Sequence, residues 1–408
     1  RGWRGLRMQL NSKLKKPKGQ RALQRRAAPN RAGLNGTGAV VLAALALPGV
    51  WVATAHAEGA PEKGTLAFKY LYYQDSQPGL KRITVNSPSV LVIAPIGKEW
   101  AVESSLVVDT LSGATPRWQS SISSASKMSE ERVAGDVKIT RYFDRSSYSL
   151  GLSHSKEHDY VSTAVSLNGS WSSADNNTTL NLGIGGSKDK IDPTDGGVAG
   201  ISNEKKDSND LIVGLTQALS KNDLIQFNVT YSQGKGYYSD PYKTLDERPR
   251  ARKQAAALAR WNHYLQDDGS TLRASYRFYR DSYGIRAHTL QGEWAKPVNE
   301  QLTLTPLLRY YSQSSARFYT DAQYDVAGFP IFPVLAPGQL NSGDQRLSAF
   351  GAATVGLKAD YKLAPDWSVD GKLEHYEQRS NWRLGGQGST GLDPFRAISL
   401  QLGTNYKF

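Results

Sequence analysis

Apolar residues recur at every second position over many short stretches of this chain. Leu180, Leu182 and Ile184 alternate with Asn181, Gly183 and Gly185. Ile225, Phe227, Val229 and Tyr231 alternate with Gln226, Asn228, Thr230 and Ser232. Leu272, Ala274, Tyr276 and Phe278 alternate with Arg273, Ser275, Arg277 and Tyr279, and Val355, Leu357, Ala359 and Tyr361 with Thr354, Gly356, Lys358 and Asp360. Successive side chains of a strand point to opposite faces, so a period of two predicts sheet and speaks against helix. Sixteen strands are predicted, within bounds of fourteen and eighteen. They begin near residues 64, 81, 98, 130, 146, 159, 178, 208, 222, 250, 269, 285, 300, 347, 366 and 395.

The predicted links follow a second pattern. After even-numbered strands they are short, as at Pro95-Ile96-Gly97, Asp144-Arg145, 174–177, 266–269 and Pro297-Val298-Asn299. Several links after odd-numbered strands are long: 113–129, 189–207, 235–249, 314–346 and 379–394. The exceptions lie near 75–80, 157–158 and 283–284. Short turns on one rim and long loops on the other mark the periplasmic and extracellular ends of an outer-membrane barrel.

The final strand has two different faces. Ile398, Leu400, Leu402, Tyr406 and Phe408 share one side, and Ser399, Gln401, Asn405 and Lys407 the other. A soluble barrel would turn the apolar side inward; a membrane barrel turns it toward lipid around a polar lumen. Tyr406 and the terminal Phe408 are similar to the sorting signal of bacterial outer-membrane barrels, which implies the barrel-assembly machinery as a partner.

Residues 1–57 carry eleven Lys and Arg and no Asp or Glu. The apolar run 39–53 and Ala55-His56-Ala57 follow, so 1–57 reads as a cleavable signal peptide and 58–408 as the barrel. The whole chain is +13, from 50 basic and 37 acidic residues, and removing the eleven leaves 39 against 37, a net of +2. The basic excess therefore belongs to the targeting segment, and nucleic acid is not an expected partner. With no cysteine, disulfides, thiolate metal sites and iron–sulfur clusters are excluded. The part after residue 57 has no apolar stretch as long as a membrane helix. A spanning chain without one must close into a barrel, because lipid satisfies no open backbone groups. The expected fold is an all-β, antiparallel, up-and-down transmembrane barrel in the outer membrane, both termini periplasmic, with lipid and lipopolysaccharide around it.

Tyr70, Tyr72, Trp100, Trp171, Trp261, Trp294, Tyr310, Trp367 and Tyr406 fall mostly near strand ends, where an interfacial girdle would stand; ordinary strand propensity is the plainer account. The alternation points Lys69, Glu103, Asp109, Asp136, Lys138, Arg273, Arg277, Lys358, Asp370, Lys372 and Glu374 into the lumen. On the lipid side an Arg or Lys near the midplane would cost roughly 2–4 kcal/mol. About sixteen strands leave room for an aqueous channel unless something fills it. The expected filler is loop 314–346 with its Phe329-to-Leu335 apolar run; contact with other loops or another protein is the alternative.

No catalytic, cofactor or metal residues are expected. His154-Ser155-Lys156-Glu157-His158 matches an H-x-x-E-H pattern, but that pattern grips metal on a helix. On a strand, positions four apart stand roughly 13 Å apart. Asp189, Asp192, Asp195, Glu204, Asp207 and Asp210 lack calcium-loop spacing and read as a solvated loop facing lipopolysaccharide.

Certain segments resemble a known bacterial family. They are Asp109-Thr110-Leu111-Ser112-Gly113-Ala114-Thr115-Pro116, Met128 to Val137 with Glu131 and Arg132, and Ser155 to Tyr160 with Glu157, Asp159 and Tyr160. Asp175 to Leu180 and Asp246-Glu247-Arg248-Pro249 carry it too. The family is one of outer-membrane barrels known only as a domain of unknown function, and the resemblance runs from about residue 64 to Phe408. Members are often encoded beside a small lipoprotein, a flavin transferase and a thioredoxin-like protein. The resemblance thus implies a pore or sheath supporting a periplasmic flavin-linked redox or metal-handling system, with a small periplasmic lipoprotein or redox protein as partner. A passive general-diffusion porin is the alternative, and an enzyme with an extracellular-rim site the second. The motif residues themselves read as structural. Glu131, Arg132, Asp136 and Arg141 are expected to form a charge network at the lumen wall, and Glu157 and Asp159 another with Lys156.

Overall fold

The computed structural model describes residues 59–114, 127–193, 197–243, 245–327, 331 and 333–408. The signal-peptide reading of 1–57, Pro116, Asp195, Phe329, Pro330 and Phe332 lie outside the described residues; of Gly113, Ala114 and 127–130 only the backbone is described.

Sixteen antiparallel strands close into one barrel in sequence order. The first four are β1 (Thr65–Gln77), β2 (Leu80–Ile96), β3 (Trp100–Ala114) and β4 (Lys127–Phe143). They are followed by β5 (Ser146–Lys156), β6 (Tyr160–Ser172), β7 (Thr178–Ile191) and β8 (Glu204–Ala218). Next come β9 (Asp223–Gly236), β10 (Ala251–Leu265), β11 (Ser270–Asp281) and β12 (Arg286–Pro297). Last are β13 (Leu302–Gln313), β14 (Phe350–Ala364), β15 (Trp367–Arg379) and β16 (Phe395–Lys407). β16 pairs with β1 from Thr65↔Lys407 to Ser76↔Arg396, which leaves no open edge. Links after even strands are all short; those after β3, β7, β9, β13 and β15 are long.

The period of two sorts the side chains. On β13, β14 and β12 the alternate residues Leu308, Val355 and Leu290 are 61%, 60% and 60% exposed. A buried core would not leave such residues bare, so this face looks outward. Trp100, Trp261, Trp294, Trp367 and Tyr406 stand on it at the short-turn rim, and Trp171 is there too, donating Nε1–H to the Tyr148 hydroxyl at 3.0 Å. Tyr70 and Tyr72 instead stand mid-strand. Near the opposite rim, Tyr310 donates to the Trp382 carbonyl and lies under loop 380–394. That loop crosses the outer face of β13 and β14, where Leu384 N–H reaches Ser312 Oγ at 2.9 Å and Gly351 leaves room for the Trp382 carbonyl.

The two ends of the barrel wall are clasped. Gly64 and Phe408 exchange backbone hydrogen bonds of 2.8 and 3.0 Å, and the Phe408 ring occupies the space a side chain at residue 64 would need.

Candidate functional site

The other face of every strand looks into the lumen. Register puts all eleven charged positions named above on it. Lys69 and Asp370 meet at 3.6 Å, each side chain 7% exposed or less. Glu103 faces Lys138 at 2.8 Å, and Asp109 pairs with Arg132. Asp136 accepts from Ser105 Oγ. Lys358 contacts Asp360 at 2.6 Å, and Lys372 contacts Glu374 at 3.0 Å. Arg273 lies 3.4 Å from Glu293, and the Arg277 guanidinium sits over the Tyr279 ring.

These charges occupy part of the wall only. From β5 to β9 the inward positions below the long-loop rim are small or neutral: Gly151, Ser153, Ser166, Asn168, Asn228 and Thr230 are representative, with Asp210 the one acid at mid-height. Several of these side chains are exposed to the lumen, and inward-facing Ile212 is 39% exposed.

The long-loop rim is different. Lys206 Nζ lies 2.9 Å from both Asp189 and the Tyr160 hydroxyl, and that hydroxyl donates to Asp189 at 2.5 Å. Tyr238, from the loop after β9, lies over Lys206 and packs edge-to-face on buried Tyr283. Tyr283 in turn covers inward-facing Arg252 and donates to the Pro249 carbonyl. Arg252 is paired with fully buried Asp281 at 2.6 Å. Inward-facing Gln313 on β13 donates to the carbonyls of Arg346 and Ser348. Loops 237–250 and 342–349 thus fold over the mouth and onto the inner wall.

A charge cluster joins these two loops. Arg248 lies 2.7 Å from Asp246 and 3.0 Å from Asp344, every one of these side chains 8% exposed or less. Arg346 reaches Asp344 from the other side at 2.5 Å, and Glu247 pairs with Asn341 through their backbones. Burial alone would raise the Asp344 carboxyl, but Arg346 and Arg248 outweigh it and hold the group well below the usual carboxylate range. Burial would likewise lower the Arg248 guanidinium, and Asp246 and Asp344 reverse that. Asp240 goes the other way: burial, and then the neighbouring Asp246, push its carboxyl up.

The family-motif residues take several places. Asp109 and Arg132 form a lumen pair, and Tyr160 belongs to the rim network. Ser112 is exposed near the end of β3. Glu131 pairs with outward-facing Thr110 in register and is exposed. Arg141 is outward as well, over the rings of Trp100 and Phe143 at the short-turn rim. The expected network of Glu131, Arg132, Asp136 and Arg141 is therefore split by strand alternation, Arg132 and Asp136 alone facing in. Glu157 and Asp159 are buried, Asp159 accepting from the Tyr242 hydroxyl at 2.7 Å, whereas exposed Lys156 ends β5 on the outward face. The expected network is thus divided: the two carboxylates are buried at the rim while Lys156 faces outward.

Among the described residues, the loop expected to fill the lumen packs inward near its two ends. Ala316 and Leu347 pack with Tyr283 and Ile285, while Val334, from the apolar run, is 99% exposed. The covering residues come from the end of that loop, 342–349, and from 237–250. His154 Nδ1 contacts Thr163 Oγ1 at 3.0 Å, and Asp189 and Glu204 are taken by Lys206 and Arg250. Among the described residues no group of three or more His, Asp or Glu converges as a metal site would require. The loop-to-loop contacts were invisible to sequence reasoning, which had Arg248 only as part of a motif.

A closed barrel with bare apolar residues outward and a charged, polar inner face is a transmembrane β-barrel. The chain belongs to the family described as "protein of unknown function (DUF3570)", matched over residues 37–130 and 119–397. No curated protein matches it. Among solved structures it is similar to a FadL homologue from Pseudomonas aeruginosa (13% identity, TM-score 0.39, 84% of this chain and 89% of that one). It is also similar to OccK2 (OpdF) of Pseudomonas aeruginosa (10% identity, TM-score 0.44, 86% and 100%) and to CdiB from Acinetobacter baumannii (10% identity, TM-score 0.46, 83% and 60%). These likenesses concern the fold and carry nothing about function.

Proposed function

We propose that this chain forms a polar passage through the outer membrane, open toward the periplasm and held shut at the extracellular mouth by loops 237–250 and 342–349. The observation that carries this reading is the buried Arg248–Asp344 contact, which ties the two loops together over an inner wall left accessible at mid-height. The short turns and both ends of the barrel wall share one rim, which supports placing that rim in the periplasm. No step of this reading needs a catalysed reaction. A service to a flavin-linked redox or metal-handling system, with a small lipoprotein or redox protein entering from the periplasm, rests on the family's genetic setting alone.

The test is single-channel conductance of the refolded protein in a planar bilayer, with folding checked by heat-modifiability. The native protein is expected to be quiet, and Asp344→Asn to give stable steps. Large ohmic steps from the native protein would instead support a passive general-diffusion porin. Silence from both folded proteins would overturn the passage and leave the lumen as a sheath.

A further inference from the structure

We infer that four arginines on the inner wall, Arg260, Arg273, Arg277 and Arg309, form a binding strip for small oxyanions bearing carboxylate or phosphate. The inference rests on the reading of the lumen as a passage and adds the class of solute.

The register builds the strip. Arg260 on β10 and Arg309 on β13 share one cross-strand row, with Ser275 and Gln291 between them. Arg277 and Arg273 stand on β11, one inward position above and one below that row. At about 3.3 Å per residue and about 4.8 Å between strands, the four span roughly 13 Å by 14 Å of wall.

What sets them apart is the shortage of acids. The wall they occupy offers Glu293, 3.4 Å from Arg273, and from β15 Glu374, 3.6 Å from Arg309 but 3.0 Å from Lys372. Arg277 rests on Tyr279, and Arg260 is exposed to the lumen with no ion pair to a described residue. In the strand order β11 and β12 lie across from β3 and β4, where Glu103–Lys138 and Asp109–Arg132 are matched pairs and Asp136 is held by Ser105. The flanking wall on β14 to β1 is matched too, through Lys358–Asp360, Lys372–Glu374 and Lys69–Asp370. The strip is thus a local cationic excess within a balanced lumen.

Arginine suits oxyanions because its planar fork offers paired donors to carboxylate or phosphate. Part of that donor set is already ordered: Gln291 accepts from Arg309 Nε at 2.6 Å and donates to Glu293, so the row is held rigid from below.

The experiment measures binding of inorganic phosphate and of citrate to the folded full-length protein by titration calorimetry, beside the reversal potential in a KCl gradient. Reversal is read in the Asp344→Asn background, where the mouth is expected to be open. The native strip should bind both probes, and replacing all four arginines by Gln should weaken binding on the order of tenfold and abolish anion preference. Replacement by Lys should keep the preference and weaken binding, since the charge stays and the fork goes. Preference should fade at 1 M salt, where the screening length is about 3 Å, against about 10 Å at 0.1 M. If the fourfold variant does not fold, Arg260→Gln alone should still lower affinity. Equal binding by native and Gln proteins overturns the inference. Binding that is lost in the Gln protein, with no current in any background, sustains the strip and overturns the passage. Citrate without phosphate, or the reverse, narrows the oxyanion.

Discussion

The mouth and the middle of this barrel use the same residue type in opposite ways. At the mouth, Arg248 and Arg252 are at most 10% exposed and touch buried carboxylates at 3.0 Å or less. At mid-height, Arg273 is 43% exposed and Arg309 34%, each more than 3 Å from its nearest acid. A buried charge must be paired to be tolerated, so the mouth arginines hold loop to loop and strand to strand. A wet lumen tolerates loosely paired charge, so Arg273 and Arg309 can stand exposed with their nearest acids at 3.4 and 3.6 Å. Partner supply, and not residue identity, sets the two groups apart.

The comparison is broken most severely by Asp344→Ala. It strands Arg248 with Asp246 alone and should cost about 3 kcal/mol, at the low end for a broken buried pair. The readout is a lower urea midpoint in lipid vesicles, together with new conductance; an unchanged midpoint would refute the lid. Glu103→Gln acts on a pair whose side chains are 23–25% exposed, and a loss of about 1 kcal/mol is expected by the same assay. Arg260→Gln should move the midpoint by no more than about 0.5 kcal/mol, so a large loss there would mean the strip holds the wall together.

Acid sharpens the contrast by doing nothing. A carboxyl depressed in the folded state contributes stability above its unfolded value and loses it only as pH falls through the folded one. Asp344 is depressed well below the usual range, so conductance should stay quiet from pH 7 to about 4. Opening near pH 5 would place control in a group such as Asp240, whose carboxyl is raised.

The barrel was legible because lipid enforces the period of two: each strand begins within four residues of its expected start. The inward residues were legible for the same reason, since Lys69 or Glu374 on the outer face would be costly. The lid was not. Alternation says which way Asp109 points, but nothing in the order of residues brings Arg248 to Asp344, 96 positions later. Exposed Val334 was unforeseen in the same way, because apolar character in a loop does not say what covers it. Arg141 failed by parity: it lies nine residues from Arg132, an odd step that reverses the face.

The clasp of Gly64 with Phe408 also governs when this wall can exist. Thr65 pairs with Lys407, so the last seam joins the first strand to the last. Such a contact is the slowest kind to find, because nearly the whole chain must be gathered first. Until β16 is in place, β1 and β15 each present an open edge inviting the wrong strand. Closure of the wall therefore waits on the strand that carries Phe408.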